Sequence, residues 1–140
     1  MSRPPDKVLF GLVAKLDANA IRMIESKNFA SLATTMPDGS PHVTPMWVDH
    51  EGDYILMNTA EGRIKLQNIA RDPRVGVAIT DQNNPYDRIL IKGKVVERTH
   101  EGAEAHIDKL AKKYTGANKY QKSTPDEKRV IIKIQPIKVF

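Results

Sequence analysis

Apolar residues recur along this chain with two different periods. Val8, Leu9, Leu12, Val13, Leu16, Ile21 and Ile24 fall at helical spacing, with a break near Asp17–Asn19. From Phe29 the period shortens. Residues 29–35 predict a strand of small side chains, and 42–49 and 53–58 predict two more. Pro37-Asp-Gly-Ser40 separates the first two, because proline presets φ and glycine accepts a left-handed backbone. Glu51-Gly52 turns the second strand into the third. The three form an antiparallel meander.

Residues 63–71 return to helical spacing and stop at Asp72-Pro73. Residues 75–80 alternate branched apolar with small side chains. One face is therefore core, and the other lets something approach closely. A polar loop over 81–85 leads to a long strand at 88–98, with Gly93 as a candidate bulge. A helix over 101–114 aligns Ile107, Leu110, Ala111 and Tyr114 on one face. A polar, basic loop follows at 115–128. Residues 130–134 and 137–140 are a last strand pair, or one strand interrupted at Pro136. Sequential strands with few helices predict one mainly β (α+β) domain over 1–140, barrel-like and not doubly wound. No internal repeat or linker is present.

Composition narrows the chemistry. The absence of cysteine excludes disulfides, thiolate metal sites and a cysteine nucleophile, and it fits a reducing compartment. No signal-peptide core follows the N-terminal Met1-Ser-Arg-Pro-Pro, and no apolar run reaches membrane-spanning length, so a cytoplasmic location is expected. The net charge of +5 and pI near 9.5 favour an anionic partner. Nucleic acid is not expected: aromatics are 6%, the cations are mixed with 17 acids, and no nucleic-acid-binding motif is present.

Two segments could carry function. In Asn58-Thr-Ala-Glu-Gly-Arg-Ile-Lys65, a hydroxyl (Thr59) and two cations (Arg63, Lys65) gather at a helix start, where unpaired N–H groups and the macrodipole favour anions. The segment reads either as a phosphate cradle or as a solvated amphipathic helix. In Val43-Thr-Pro-Met-Trp-Val48, Pro45 removes a ladder donor and marks an edge or bulge. Free backbone beside Met46 and Trp47 suits a planar heterocycle, and plain core packing reads equally well. His42, His50, His100 and His106 show no metal-ligand spacing and are assigned solvated or capping roles. Nucleophile-elbow, Walker and dinucleotide-binding motifs are absent.

Taken together, 29–35, 37–48, 58–65 with Asn68, 71–75, Asn84-Pro-Tyr86 and Gly93-Lys-Val-Val96 resemble the FMN-binding split-barrel superfamily. That group includes the pyridoxamine 5′-phosphate oxidases and deazaflavin-dependent oxidoreductases. The resemblance implies a six-stranded antiparallel split barrel and a homodimer with cofactor sites between the chains. It implies phosphate anchoring by Thr59, Arg63, Ile64 and Lys65 with Asn68 nearby, and a ring lying along Thr44, Pro45, Met46, Trp47 and Val48. Ala78, Ile79, Gln82, Tyr86 and Arg88 would close the site, some from the partner. No catalytic side chain or metal is assigned.

The longer B6 oxidases end in an arginine- and tryptophan-rich segment that this sequence lacks. The resemblance is therefore closest to the branch using coenzyme F-420, an 8-hydroxy-5-deazaflavin with an acidic tail. Lys109, Lys112, Lys113, Lys119 and Lys122 are candidates to meet that tail. The implied activity is hydride transfer between reduced F-420 and a small unsaturated or carbonyl substrate. The alternatives are an FMN-dependent reductase or oxidase, and a flavin- or haem-binding protein without turnover.

Overall fold

The computed structural model describes residues 13–140. The part of the first helical pattern that lies before Val13 falls outside the described residues. Of the rest, residues 13–17 are not helical, and the helix α1 (Ala18–Glu25) begins after the expected break, its first turn capped by the Asp17 carboxylate accepting from Ala20 N–H at 2.8 Å. Strands β1 (Ala30–Thr35), β2 (Pro41–Met46), β3 (Asp49–Glu51) and β4 (Tyr54–Ala60) follow. Then come α2 (Ile64–Arg71), β5 (Arg74–Asp81), β6 (Asn84–Thr99), α3 (Ala103–Thr115) and β7 (Arg129–Val139).

The seven strands make one antiparallel sheet in the order β2-β1-β5-β6-β7-β4-β3. The edge strands β2 and β3 are neighbours in sequence, joined only by Trp47 and Val48. So short a link keeps the two edges close in space, since consecutive Cα atoms are only about 3.8 Å apart. The sheet must curl until its margins face one another across an unpaired seam. This is a barrel that is split, not closed.

The mainly β class agrees with the sequence reading, but the described residues form seven strands and not six. The strand expected over 42–49 breaks after Met46, where the chain crosses the seam. The expected loop at 81–85 contracts to a tight turn at Gln82-Asn83, with Asn83 N–H donating to the Asp81 carboxylate at 2.8 Å. β6 therefore begins at Asn84. β7 runs unbroken through Pro136, which lies opposite Gly93 at a register shift. Gly93 is a bulge position, and its backbone approaches closely: a Cβ there would sit 2.8 Å from Ile134 Cγ2.

The inward face of the sheet carries Leu32, Ile55, Met57, Ile79, Ile132 and Ile134, all fully buried. α1 adds Met23 and Ile24 to this core, and α2 adds Leu66 and Ile69. Each such side chain contributes about 1.5–3 kcal/mol by leaving water. A second apolar cluster joins Ile107, Leu110 and Tyr114 of α3 to Trp47 and Tyr120. It pins α3 over the seam. Among the described residues no helix is long and apolar enough to cross a membrane.

Candidate functional site

The seam opens into a cleft of about 250 Å3. Pro45, Met46 and Trp47 form one wall, at the end of edge strand β2. Asn58 and Thr59 of β4, with Arg63 and Lys65 at the start of α2, form the opposite end. Phe29, Ile107, Tyr120 and Arg129 complete the lining. The cleft therefore has an apolar, aromatic end and a cationic end.

The aromatic wall is rigid. Trp47 stacks on Tyr114 with ring centroids 5.2 Å apart and planes 5° apart, and Tyr120 meets the Trp47 ring edge-on at 6.3 Å. The Tyr114 hydroxyl donates to the Asn28 carbonyl and accepts from Val48 N–H at 3.2 Å. Burial pushes the Tyr114 phenol above its ordinary pKa, which keeps it a donor.

At the other end, β4 runs through Ala60 into a turn at Glu61-Gly62, where Gly62 takes φ +89°. Arg63 is the N-cap of α2, and no side chain accepts from the first-turn N–H groups. Lys65 is 8% exposed. Burial, then the neighbouring charges of Arg63 and Arg129, lower its pKa. A buried ammonium with two cationic neighbours and no acid among the described residues is costly by itself. The arrangement becomes favourable when an anion enters, and a phosphate fits this donor set.

Arg129 was not singled out from the sequence. It lies in β7 opposite Ala60, and its guanidinium is almost fully buried. Its Nε donates to Asn58 Oδ1 at 2.9 Å, and its Nη1 pairs with the Glu127 carboxylate at 2.8 Å. Asn58, Phe29, Ile107 and Tyr120 were also missed as lining residues. Burial of a charged side chain next to a helix cannot be read from a local sequence pattern.

Of the residues named from the sequence, Pro45, Met46, Trp47, Thr59, Arg63 and Lys65 meet in the cleft. The others do not line it. Val48 and Ile79 point into the core with no exposed surface. The Thr44 hydroxyl is buried without a hydrogen-bond partner, outside the cleft lining. Asn68 spends its amide on Thr34 and Arg71. Ile64 is exposed beside the cleft. Ala78, Gln82, Tyr86 and Arg88 lie on β5, β6 and the turn between them, away from this cleft within one chain.

Most of the lysines of the basic 109–122 region are engaged within the chain. Lys109 pairs with Asp49 and Lys122 with Glu104. The Lys113 ammonium is drawn inward onto the carbonyls of Ile24 and Val48. Lys112 donates to Asn118. Among the histidines, His50 pairs with Glu25, and His100 with Glu61. His106 departs from the expected solvated role, because it is buried between Asp49 and Asn58.

Comparison with known proteins adds the family context. A family model described as pyridoxamine 5′-phosphate oxidase matches residues 16–140. No curated protein matches the chain significantly. Among solved structures, an F-420 reductase shares 28% identity over 85% of this chain and 94% of its own, with a TM-score of 0.74. A conserved hypothetical protein of Mycobacterium tuberculosis shares 26% identity over 91% of this chain and 84% of its own, with a TM-score of 0.67. HupZ of Group A Streptococcus shares the fold at 21% identity and a TM-score of 0.63, over 86% of this chain and 88% of its own.

Proposed function

Because this chain belongs to the pyridoxamine 5′-phosphate oxidase family, we propose that it is an oxidoreductase that uses coenzyme F-420, with FMN as the alternative cofactor. The observation that carries the reading is the two-ended cleft. Arg63, Lys65 and Arg129 converge at one end, and Pro45, Met46 and Trp47 form a flat wall at the other. A cofactor with an anionic phosphate and a planar ring matches both ends at once.

When bound, the deazaflavin would supply hydride to a small unsaturated or carbonyl acceptor. The chain's own part is positional. Arg63, Lys65 and Thr59 would hold the phosphate, and Trp47, fixed by Tyr114, would set the plane of the ring. The edge strand β2, paired only to β1, offers backbone groups along one side of that ring. The structural likeness to an F-420 reductase supports the deazaflavin. The family, whose members bind flavins such as FMN, supports the alternative.

The reading includes a homodimer. A one-chain cleft of about 250 Å3 is below the roughly 300–1,000 Å3 of ordinary ligand pockets, which supports a second wall closing over the ring. The outward face of β1, β5 and β6 supplies a surface for pairing. There Ala33, Gly76 and Ala78 leave an apolar hollow rimmed by Val43, Leu90 and Phe140. Pairing through this face would carry the 78–88 hairpin toward a partner's cleft.

Fluorescence titration with F-420 and with FMN, at low and high salt, tests the cofactor. F-420 should bind tighter, and more so at low salt, because its acidic tail adds screened charge contacts. Tighter FMN binding under both conditions moves the protein to the FMN alternative. Arg63→Ala should weaken either cofactor roughly ten- to a hundredfold. Sedimentation equilibrium checks the dimer, and a monomer at micromolar concentration contradicts it.

A further inference from the structure

Arg129 differs from the other two cations in being held from behind. Asn58 donates through Nδ2 to the Ala103 carbonyl at 2.9 Å and to His106 Nδ1 at 3.1 Å, while its Oδ1 accepts from Arg129 Nε at 2.9 Å. Arginine Nε is always a donor, so the amide orientation is fixed. His106 Nδ1 must then present its lone pair, and Nε2–H points to Asp49, 3.1 Å away. The ring is thus set as the neutral Nε2–H tautomer. On Arg129, Nε and Nη1 are occupied, by Asn58 and Glu127, while Nη2 makes no hydrogen bond to a described residue. The side chain nonetheless lines the cleft.

We propose that Arg129 is a pre-oriented anion ligand of the cleft, and that the buried line Asp49–His106–Asn58 sets its orientation as a function of pH. The proposal rests on the reading of the cleft as a cofactor-phosphate site. A second proton on His106 would place Nδ1–H against the Asn58 amide N–H. Relief requires the amide to turn, which sets its NH2 against Arg129 Nε–H and its carbonyl against the Ala103 carbonyl. Two hydrogen bonds are lost, and Arg129 is left to Glu127 and Tyr120.

The groups around the imidazole are Asp49 on β3, Asn58 on β4 and, on its own helix, Lys109, which shares the Asp49 carboxylate at 3.1 Å. Lys113 adds positive charge near Asp49, and Arg129 with Glu127 lies beyond Asn58. Lys109 shares the Asp49 carboxylate, and the Asn58 amide, held by Arg129, turns only a donor toward Nδ1. His106 and Asn58 are therefore positioning residues, and Arg129 is the ligand.

The test uses FMN, whose phosphate is the probe, titrated at about pH 5.5 and about pH 8, the range over which histidines as a class change charge. Free FMN's phosphate also titrates in this range, identically in every titration, so the comparison is between variants and wild type at each pH. Wild type should lose roughly tenfold more affinity on acidification than His106→Gln, which lacks the titrating ring. Arg129→Lys keeps the charge but has no Nε for Asn58. It should bind more weakly at pH 8 and show the shallow pH dependence of His106→Gln.

Nitrogen NMR of the unliganded protein should show His106 as the Nε2–H tautomer at pH 8. The Nδ1–H tautomer, or one shared pH curve for all three proteins, overturns the proposal. Should His106→Gln fail to fold, Arg129→Lys and the tautomer decide it. Arg63→Ala separates the two levels. If Arg63→Ala loses FMN binding while Arg129→Lys matches wild type, only the Arg129 assignment falls. If Arg63→Ala binds FMN like wild type, the cofactor-site reading falls with it.

Discussion

Trp47 and Tyr114 lie face to face, 5.2 Å apart, although one belongs to the seam and the other to α3. The Tyr114 hydroxyl continues past the stack and ties Asn28 to Val48. One side chain thus fastens the end of α1, the seam and α3 together.

Tyr114→Phe should keep the stack and lose both hydrogen bonds. The Asn28 carbonyl and Val48 N–H are buried, so their desolvation goes uncompensated. The expected loss is about 1–3 kcal/mol of stability, read by denaturant midpoint. Tyr114→Ala should cost more and also loosen Trp47, which near-ultraviolet circular dichroism would show. A Phe variant as stable as wild type would remove the tether from this account.

Lys65→Met should act in opposite directions on binding and stability. Met fits the long buried stem and removes a charge crowded by Arg63 and Arg129. The unliganded protein should gain about 1 kcal/mol, seen as a raised melting temperature, while FMN or F-420 affinity falls roughly tenfold or more. A less stable variant that binds normally would place Lys65 among structural residues.

Asp49 makes stability depend on acid. Burial alone would raise its pKa, but hydrogen bonds from His106, the His50 backbone and Lys109 outweigh it and hold the carboxyl well below its ordinary range. A depressed folded-state pKa contributes stability above the unfolded value near 3.9 and loses it as pH falls further, through the folded value. Asp49→Asn should therefore weaken the protein at neutral pH and flatten the decline of stability below about pH 4. Urea melts at several acidic pH values measure this. Parallel curves for the two proteins would show that Asp49 is not a source of acid sensitivity.

Gly93→Ala should be among the more damaging small substitutions. The new methyl would meet Ile134 Cγ2 at 2.8 Å and the Gln135 carbonyl oxygen at 3.0 Å. The barrel wall must shift at β6 and β7, at a cost of about 1–3 kcal/mol. Gly76→Ala is the contrasting control, because its nearest neighbour, Ala33 Cβ, lies at a comfortable 3.6 Å. Equal melting temperatures for the two variants would contradict the bulge argument.

The parts of the fold legible in the sequence are those with local causes. The turn around Asp38-Gly39 sits where the residue chemistry placed it, with Gly39 at φ +88°, and the bulge at Gly93 follows from a glycine inside an apolar run. The start of α2 at Arg63 was readable from Gly62 and the helical spacing beyond. The break at Trp47-Val48 was not, because it arises from the meeting of two sheet edges that are far apart in strand order. In the site, Arg63 and Lys65 were visible as cations at a helix start. Arg129 fell between the expected loop at 115–128 and the strand from 130, and His106 was assigned a solvated or capping role. Their roles depend on the pairing of β4 with β7 and on α3 packing against β4, and no local pattern encodes either.

The place of β7 has a consequence for how the chain is made. It is the last strand in sequence, yet it lies between β6 and β4. Before its residues leave the ribosome, the others can form only two separate pieces, β2-β1-β5-β6 and β4-β3, each with open edges at β6 and β4. Such edges template pairing with other chains. The nascent protein is thus most exposed to aggregation until residues 129–139 emerge, and a truncation or stalled ribosome within them should yield an insoluble product, not a smaller soluble one.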